Sequence, residues 1–360
     1  MKFKTSLTSI LFLLLLSSCA RGIYAPSPTP VVVEATDLPL LLAIQDVGIT
    51  PSPVPFQFNL PPPGAEPVSG WRPPLYPIPW AMSAYDHFYF ARPIAADQIN
   101  WPLADYRYGG IFFAPNVVHT GIDIDAEEGA PIIAASPGTI VWVGWGLFTE
   151  TPDNDKDPYG LAVAIRHDFG YNNQKLYTVY AHMSETIATL SQHVETGDLI
   201  GLVGATGATT GPHMHFEVRL SENSFHHTLN PELWIAPPQG WGVLVGRVMD
   251  TKGDVISRTQ VRVTSEETNK TFLVKTYGSG GAINPDPYYN ENLVLGDLPA
   301  GIYKVTLPFD KKDKQTWVEI FPGQVTYFTF KGDKGFGSER PLPPKLKSLP
   351  QSTSTPTPLP

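Results

Sequence analysis

Short runs of apolar, β-branched and aromatic residues, separated by Gly, Pro and other turn residues, recur along most of the chain after residue 130. The runs LAVAIRH (161–167) and KLYTVYAHM (175–183) are separated by the turn-rich DFGYNNQ. Runs of this length and composition are typical of β-strands, and the intervening residues are typical of tight turns. The sequence therefore predicts a mainly β protein with little helix.

Composition divides the 360 residues into five parts. Proline-rich stretches defeat helices and central strands, so they mark linkers and tails. We expect a signal peptide in 1–19, a Pro-rich linker in 20–84, a first globular domain in 85–238, a β-sandwich in 243–331 and a disordered Pro/Ser/Thr-rich tail in 332–360.

The amino terminus has the pattern of an export signal. Lys2 and Lys4 precede the apolar run ILFLLLL (10–16), which is shorter than the roughly 20 residues that a membrane-spanning helix needs. The run ends at LSSC, where Cys19 is the only cysteine of the chain, and this resembles a bacterial lipobox. The resemblance implies an extracytoplasmic protein anchored to the membrane through lipid on Cys19. A cleaved signal with an incidental cysteine remains the alternative.

The net charge of −9 argues against nucleic acid as a partner, because a phosphate backbone is bound by a basic face.

Residues 243–331 contain seven short alternating segments separated by turns, which predicts a β-sandwich. The segments VGRVMDTKGDVISRTQVRV and LGDLPAGIYKVTL resemble those of Ig-like, carboxypeptidase-regulatory or transthyretin-like sandwiches. No constellation there suggests catalysis. A passive spacer and a domain that binds cell-wall carbohydrate or protein are both compatible with this sequence.

The segment GPHMHFEVR alternates strictly. His213, His215, Glu217 and Arg219 share one parity, and Met214, Phe216 and Val218 share the other. In a strand, residues i and i+2 point the same way, about 6.6 Å apart. We therefore expect a half-buried strand on which two imidazoles project side by side from a wet face. A pair of surface histidines is the alternative.

A second segment, HTGIDID (119–125), places His119 and Asp123 at the same parity. In a fully extended chain their α-carbons would be about 13 Å apart, too far for one ion, so we expect a bend at Gly121. His119 would then lie on the incoming loop and Asp123 on the strand, with Asp125 solvating the strand edge. A third segment, YTVYAHM, places Tyr180 and His182 at one parity.

Together the three segments offer four histidines and one aspartate. Three protein ligands and an open position are the pattern of a catalytic zinc, and imidazole with carboxylate suits that metal. Three of the five residues would bind the ion, and two would remain beside the attacking water.

HTGID, YAHM and GPHMHFEVR, in this order, resemble the motifs of the lysostaphin/LytM-type zinc endopeptidases. The intervening EGAPIIAASPGTIVWVG, YGLAVAIRH and VETGDLIGLVGATGATTG are also similar to that family, and the resemblance covers roughly residues 105–235. It implies an antiparallel β-sheet or barrel-sandwich-like peptidase domain.

The family assignment implies a role for each residue. His119, Asp123 and His215 would be the ligands of one Zn²⁺. His182 and His213 would be catalytic, orienting and deprotonating the attacking water and stabilising the tetrahedral intermediate.

The resemblance therefore implies a metalloendopeptidase that hydrolyses peptide bonds in bacterial cell-wall peptidoglycan, with the stem or bridge peptides as partners. A non-catalytic member of the fold that binds wall or regulates another hydrolase is one alternative. An envelope adhesion or structural protein, in which the sandwich carries the function, is another. The sequence leaves open which bond is cut.

Other candidates carry less specific patterns. His167 matches a frequent family histidine and is interpreted as structural or supporting. DNDKD (153–157) spaces oxygen ligands as calcium loops do but lacks their Gly and distant Glu, so a solvated loop is favoured. The segment 85–110, just upstream of the first motif, is a candidate inhibitory segment.

Overall fold

The computed structural model describes residues 78, 85–94, 106–111, 117–238 and 240–342. The predicted signal peptide with Cys19, nearly all of the predicted linker and the tail from residue 343 lie outside these residues. Within them, eighteen strands are present. They are β1 Ile122–Asp125, β2 Pro131–Ile133, β3 Gly138–Gly144, β4 Leu161–Tyr171, β5 Gln174–Thr186, β6 His193–Val194, β7 Leu199–Val203, β8 His213–Leu220, β9 Thr228–Leu229, β10 Trp241–Met249, β11 Gln260–Ser265, β12 Thr271–Lys275, β13 Ile283–Asn284, β14 Leu293–Pro299, β15 Gly301–Phe309, β16 Lys312–Ile320, β17 Val325–Lys331 and β18 Gly335–Gly337.

Helical structure in the described residues is limited to short 3₁₀ turns, such as Phe225–His227 and Pro231–Leu233, which confirms the predicted mainly β class. No helix in this part of the chain has the length and apolar character needed to cross a membrane.

Ten strands form the first sheet, in the order β13-β9-β8-β5-β4-β3-β6. Strand β1 pairs with β8, and β7 pairs with both β2 and β5. The sheet is not a closed barrel. Strand β8 is hydrogen-bonded to β1, β5 and β9, so it lies at the centre of the arrangement.

Eight strands form two four-stranded sheets, β14-β10-β17-β18 and β12-β11-β15-β16. Apolar residues of both sheets, among them Leu244, Leu295 and Phe330 from one and Val263 and Val305 from the other, share one hydrophobic core. This confirms the predicted sandwich, and all seven predicted strands are present. The likeness to transthyretin-like domains stays a prediction.

Two strands after residue 243 were not predicted. β13 joins the first sheet by parallel pairing with β9, although it lies within the predicted sandwich domain. β18 pairs with β17 through Thr329, Phe330 and Lys331. The expectation of a disordered tail from residue 332 was therefore wrong for Gly335–Gly337, which form β18. Phe336 packs against the sandwich core, which explains why the chain continues as a strand there.

The first sheet is buried on both faces around its central strands. One face carries the main core, which includes Ile122, Ile124, Met214 and Phe216. The other face carries a smaller cluster that includes Tyr159. The candidate site lies on the second face.

The prediction of a wet face on β8 was wrong, because all four polar side chains of that strand are buried. His213 and His215 are 7% and 4% exposed, and Glu217 and Arg219 are at most 1% exposed. Alternation showed correctly which residues share a face but not whether solvent reaches it. A buried charge is tolerated only when it is paired, and Glu217 and Arg219 pair with each other at 2.7 Å.

The two predicted domains share one hydrophobic core. Val243, Tyr289 and Tyr327 of the sandwich pack in the same cluster as Phe90 and Trp234 of the first domain. The described residues 85–94 of the candidate inhibitory segment belong to this core, with Phe88 and Phe90 fully buried. They therefore join the domains and do not line the groove described below, whereas Gly109 of the same segment does.

Buried polar contacts also cross this boundary. His87 is 2.8 Å from the carboxylate of Asp286, and the hydroxyl of Tyr289 donates to Asp86 at 2.5 Å. The Glu232 side chain is fully buried. It accepts from Arg107 at 2.6 Å and from the backbone N–H of Gly296 in β14.

We predict that Glu232→Ala lowers the free energy of unfolding by about 3 kcal/mol, because Arg107 would be left as an uncompensated buried charge. Urea denaturation followed by tryptophan fluorescence measures this. The exposed Glu128→Ala is the control and should change stability by less than about 0.5 kcal/mol. A loss equal to that of the control would show that Glu232 does not join the two domains.

Candidate metal centre

The pairing of β1 with β8 places the aspartate beside a histidine. The strands are antiparallel, and Asp123 lies directly opposite His215. Residues that face each other in an antiparallel pair have Cβ atoms about 5 Å apart. The pairing of these two strands therefore brings a carboxylate and an imidazole together on one face of the sheet.

His119 reaches the same point from the segment that precedes β1, as expected from the bend at Gly121. The reason for the glycine is close approach. A Cβ at Gly121 would lie 2.3 Å from the carbonyl oxygen of Phe216 and 2.9 Å from the His215 ring. Glycine is required here because the backbone lies too close to Phe216 and to the His215 ring for any side chain.

Three atoms converge in this arrangement. His119 Nε2, Asp123 Oδ1 and His215 Nδ1 are each 3.0 Å from the other two. Ligands of a tetrahedral zinc with bonds of about 2.0–2.1 Å are about 3.3 Å apart. The three residues thus fit a small divalent cation, and they form the one such set of His, Cys, Asp and Glu among the described residues.

Hydrogen bonds fix the orientation of both imidazoles. His119 Nδ1 donates to the carbonyl of Arg107 at 3.1 Å, and His215 Nε2 donates to Glu217 Oε1 at 3.1 Å. Each ring therefore presents its other nitrogen to the cluster. Histidines that bind metals commonly have their second nitrogen held by a carbonyl or carboxylate in this way.

The electrostatics of the cluster favour a cation. Burial alone would raise the pKa of Asp123, but His119 and His215 hold it well below its usual range. Burial disfavours a charged His215, yet its hydrogen bonds to Asp123 and Glu217 raise its pKa to about 9. The site thus attracts positive charge, which a divalent ion would supply in place of the proton.

Glu217 is the centre of a buried network that the sequence reasoning did not assign to the site. It accepts hydrogen bonds from His215, from Thr120, from the Tyr159 hydroxyl at 2.5 Å and from Arg219 Nε at 2.7 Å. Burial would raise its pKa, but Arg219 and His215 hold it below its usual range. The shared parity of residues 213–219 was the available signal, since it places Glu217 two residues from a ligand.

His182 lies in the site because the register of β5 shifts. Leu161 pairs with Met183 and Val163 pairs with Tyr180, so β5 has one extra residue between these pairs. His182 has a φ of 61° there, and Tyr180 points into the main core. The expectation that Tyr180 and His182 share a face was therefore wrong. A bulge of this kind turns a side chain to the other face.

The two remaining histidines are positioned alike. His182 Nδ1 donates to the carbonyl of Thr206 at 2.8 Å, and His213 Nδ1 donates to the carbonyl of Gly211 at 2.9 Å. In each ring the carbonyl engages Nδ1, and Nε2 is the nitrogen left for other partners. Their ring centroids are 4.7 Å apart, and His213 Nε2 is 3.5 Å from Asp123 Oδ1. Burial and the neighbouring His215 and His213 lower the pKa of His182 to about 3, so it is neutral at neutral pH.

All five predicted site residues line one groove of about 850 Å³. Aromatic side chains contribute to the groove, including Phe148 and Phe225, whose ring centroids are 4.8 Å apart. The groove has an open side above a buried three-ligand cluster. This combination is typical of catalytic rather than structural zinc sites.

The other candidates lie outside the cluster. His167 is buried on β4, where it donates to the carbonyl of Pro137 and contacts Thr178, so its role is structural. Asp157 is fully buried and accepts from the backbone N–H groups of Thr149 and Tyr159. The loop 153–157 is therefore anchored by this carboxylate, while its residues 153–156 are exposed or half-buried, as expected for a solvated loop.

Residues 117–227 match Peptidase family M23. The chain is 39% identical over 129 residues to the DD-carboxypeptidase/endopeptidase Mpg of Neisseria meningitidis serogroup B, which covers 36% of this chain and 26% of that protein. It is 26% identical over 232 residues to lysostaphin of Staphylococcus staphylolyticus, covering 62% of this chain and 43% of that protein.

Among solved structures, the catalytic domain of the antimicrobial peptidase lysostaphin from Staphylococcus simulans is similar at 27% identity. The match covers 35% of this chain and 86% of that domain, with a TM-score of 0.30. The chain thus spans about a quarter of the Neisseria relative and less than half of full-length lysostaphin.

We predict that Glu217→Gln weakens zinc binding about 10- to 100-fold, because the partner that orients His215 becomes neutral. Competition with a chromogenic chelator measures the affinity, and thermal unfolding by circular dichroism reports the fold. Tyr159→Phe removes one donor to Glu217 and should give a smaller loss in the same direction.

The exposed Glu185→Gln on β5 is the matched control and should bind zinc like the wild-type protein. Equal zinc affinity in Glu217→Gln and in this control, with both variants folded, would contradict the role given to Glu217.

Proposed function

We propose that this chain is a zinc metalloendopeptidase that hydrolyses peptide bonds in bacterial cell-wall peptidoglycan. The observation that carries the proposal is the convergence of five side chains in one groove: His119, Asp123, His215, His182 and His213. The match of residues 117–227 to Peptidase family M23 supports the same chemistry. The substrate class is inferred from the resemblance to lysostaphin-type enzymes.

His119, Asp123 and His215 would hold the ion. A bound zinc ion supplies Lewis acidity, which polarises a peptide carbonyl and makes water more acidic. The Glu217 network keeps His215 Nδ1 directed at the cluster, and the carbonyl of Arg107 does the same for His119 Nε2. These contacts prepare the ligands before the ion arrives, which limits the reorganisation that binding requires.

His182 is the residue best placed to move a proton. Its Nδ1–H is held by the carbonyl of Thr206, so its Nε2 carries a lone pair at neutral pH. A neutral imidazole can take a proton from the attacking water and return it to the leaving amine. The φ of 61° at His182 is a rare conformation for a residue other than glycine, and such conformations cluster at functional sites.

His213 would act as the partner of His182. Its Nδ1–H is held by the carbonyl of Gly211, and its Nε2 is beside Asp123 Oδ1 at the edge of the cluster. From this position, once protonated, it can donate a hydrogen bond to the oxygen that becomes negative when the carbonyl is attacked. Donors fixed before the reaction are worth the most in such a role.

We predict that His182→Ala and His213→Ala retain one zinc per chain but lose at least about 100-fold in turnover, the usual contribution of a general acid or base. Purified peptidoglycan is the substrate, released fragments are identified by mass spectrometry, and zinc is counted by atomic emission.

His215→Ala should lose both zinc and turnover. The exposed His193→Ala, which lies on β6 away from the groove, is the control and should behave as wild type. Unchanged turnover in His182→Ala or His213→Ala would refute the role of that residue. A wild-type protein that binds the wall without releasing fragments would favour the non-catalytic alternative.

The amino-terminal sequence adds a proposal about location. Export through the signal in 1–19 and lipid on Cys19 would hold the enzyme at the membrane facing the wall. We predict that Cys19→Ala, expressed in a bacterial host, moves the protein from the membrane fraction to the soluble envelope fraction. Detergent partitioning and mass spectrometry of the mature amino terminus measure this. Identical partitioning of variant and wild type would contradict lipid anchoring.

A further inference from the structure

The sandwich domain contributes part of the groove that contains the metal centre. The groove is lined by Ser257 and Arg258 and by the segment 277–283, all of which belong to the predicted second domain. A passive spacer would not line this groove. The composition of this part of the groove therefore bears on which peptides can enter.

The segment is attached to the first sheet by regular pairing. Ile283 and Asn284 of β13 pair with Thr228 and Leu229 of β9. The Thr228 hydroxyl donates to the carbonyl of Ala282 at 2.5 Å, and Asn284 Nδ2 donates to the carbonyl of Thr228 at 3.0 Å. This part of the sandwich domain is thus an extension of the sheet that carries the histidines.

Tyr277 fixes the other end of the segment. Its ring packs edge-on against Tyr108 with centroids 5.3 Å apart. Its hydroxyl donates to Glu291 at 2.7 Å. Gly109 permits this packing, because a Cβ there would lie 2.4 Å from the Tyr277 Cβ. The segment is therefore held at both ends.

Between these ends the segment has almost no side-chain bulk. It reads Gly-Ser-Gly-Gly from 278 to 281, and a Cβ on Gly280 or Gly281 would meet no atom within 4 Å. Such a rim leaves space beside the groove for an extended peptide. It also leaves Arg258 as the charged side chain that the sandwich domain contributes to the groove.

Arg258 stands out by its charge. Among the described residues that line the groove, it is the one lysine or arginine, and the one carboxylate is Asp123, which is engaged by His119 and His215. Within the described part of the chain, the Arg258 side chain makes no hydrogen bond or ion pair. The groove therefore has an exposed guanidinium whose charge is not neutralised by a neighbouring acid.

Hydrogen bonds of the backbone hold the turn that carries this side chain. Arg258 has a φ of 60° and donates its N–H to the carbonyl of Thr276 at 2.6 Å. Thr259 N donates to the hydroxyl of Thr276 at 3.0 Å. The turn that carries Arg258 is thus tied to the strand that leads into the 277–283 segment.

We infer that Arg258 binds a carboxylate of the substrate peptide and thereby selects carboxylate-bearing wall peptides over their amidated forms. The inference rests on the proposed function. Guanidinium groups bind carboxylates through two parallel hydrogen bonds, a geometry that a carboxamide cannot match. Arg258 is a residue for substrate selection, separate from the five side chains of the metal centre.

The test uses the zinc-loaded full chain and two forms of soluble cross-linked peptidoglycan fragments. One form keeps its carboxylates, and the other has them converted to methylamides with carbodiimide and methylamine. In the wild type, KM for the amidated form should be about fivefold higher, with kcat within about twofold, as for one exposed ion pair. In Arg258→Gln the two forms should have the same KM.

Lys252→Gln is the matched control, because it removes the same charge from an exposed position outside the groove. It should discriminate between the two forms as the wild type does. Equal KM for both forms in the wild type, or discrimination that persists in Arg258→Gln, would overturn the inference while leaving the peptidase proposal intact.

Binding of fluorescently labelled fragments is measured in parallel by anisotropy in a His182→Ala background. If the wild type cleaves neither form, the proposed function fails, and binding still decides the role of Arg258. Preference for the carboxylate form that disappears with Arg258→Gln supports the inference. Equal binding of both forms, or binding of neither, overturns it.

Discussion

The geometry of the candidate metal centre depends first on the register between β1 and β8. Asp123 is opposite His215 in this pair, and a shift of β1 by one residue would turn Asp123 to the apolar face of the sheet, away from His215. The register is fixed by burial, because Ile122, Ile124, Met214 and Phe216 fill the main core only in this pairing. The hydrophobic core thus determines the geometry of a polar site on the opposite face.

Much of this could be predicted from the sequence. Strict alternation in 213–219 showed that His213 and His215 point to one side, and the parity of His119 and Asp123 required a bend near Gly121. The strands of the sandwich followed from the same pattern. Two features could not be derived from local periodicity. The extra residue in β5 that turns His182 into the groove is a property of strand pairing, and the burial of Glu217 and Arg219 depends on what covers β8.

The buried carboxylates are all stabilised by fixed hydrogen-bond donors. Glu217 is surrounded by donors, Asp123 by two imidazoles, and Glu232 by Arg107 and a backbone N–H. Charge away from water is stable only where partners are fixed, so these groups lie where the chain is most constrained. Asp123 and Glu217 belong to the candidate metal centre, and Glu232 joins the two domains.

The sandwich is therefore structurally continuous with the domain that carries the candidate metal centre. It shares the main core with the first domain, adds β13 to the sheet and contributes to the groove. The sequence alone suggested a spacer or a separate wall-binding module, because nothing in the order of the strands shows that residues 277–284 return to the first sheet.

The most direct test of the central claim is a crystal structure of the zinc-loaded protein with anomalous diffraction recorded on both sides of the zinc absorption edge. The account predicts one anomalous peak about 2.0–2.2 Å from His119 Nε2, Asp123 Oδ1 and His215 Nδ1, with His182 and His213 outside bonding distance. A peak bound instead by His182 or His213, or no peak at the three atoms, would contradict it.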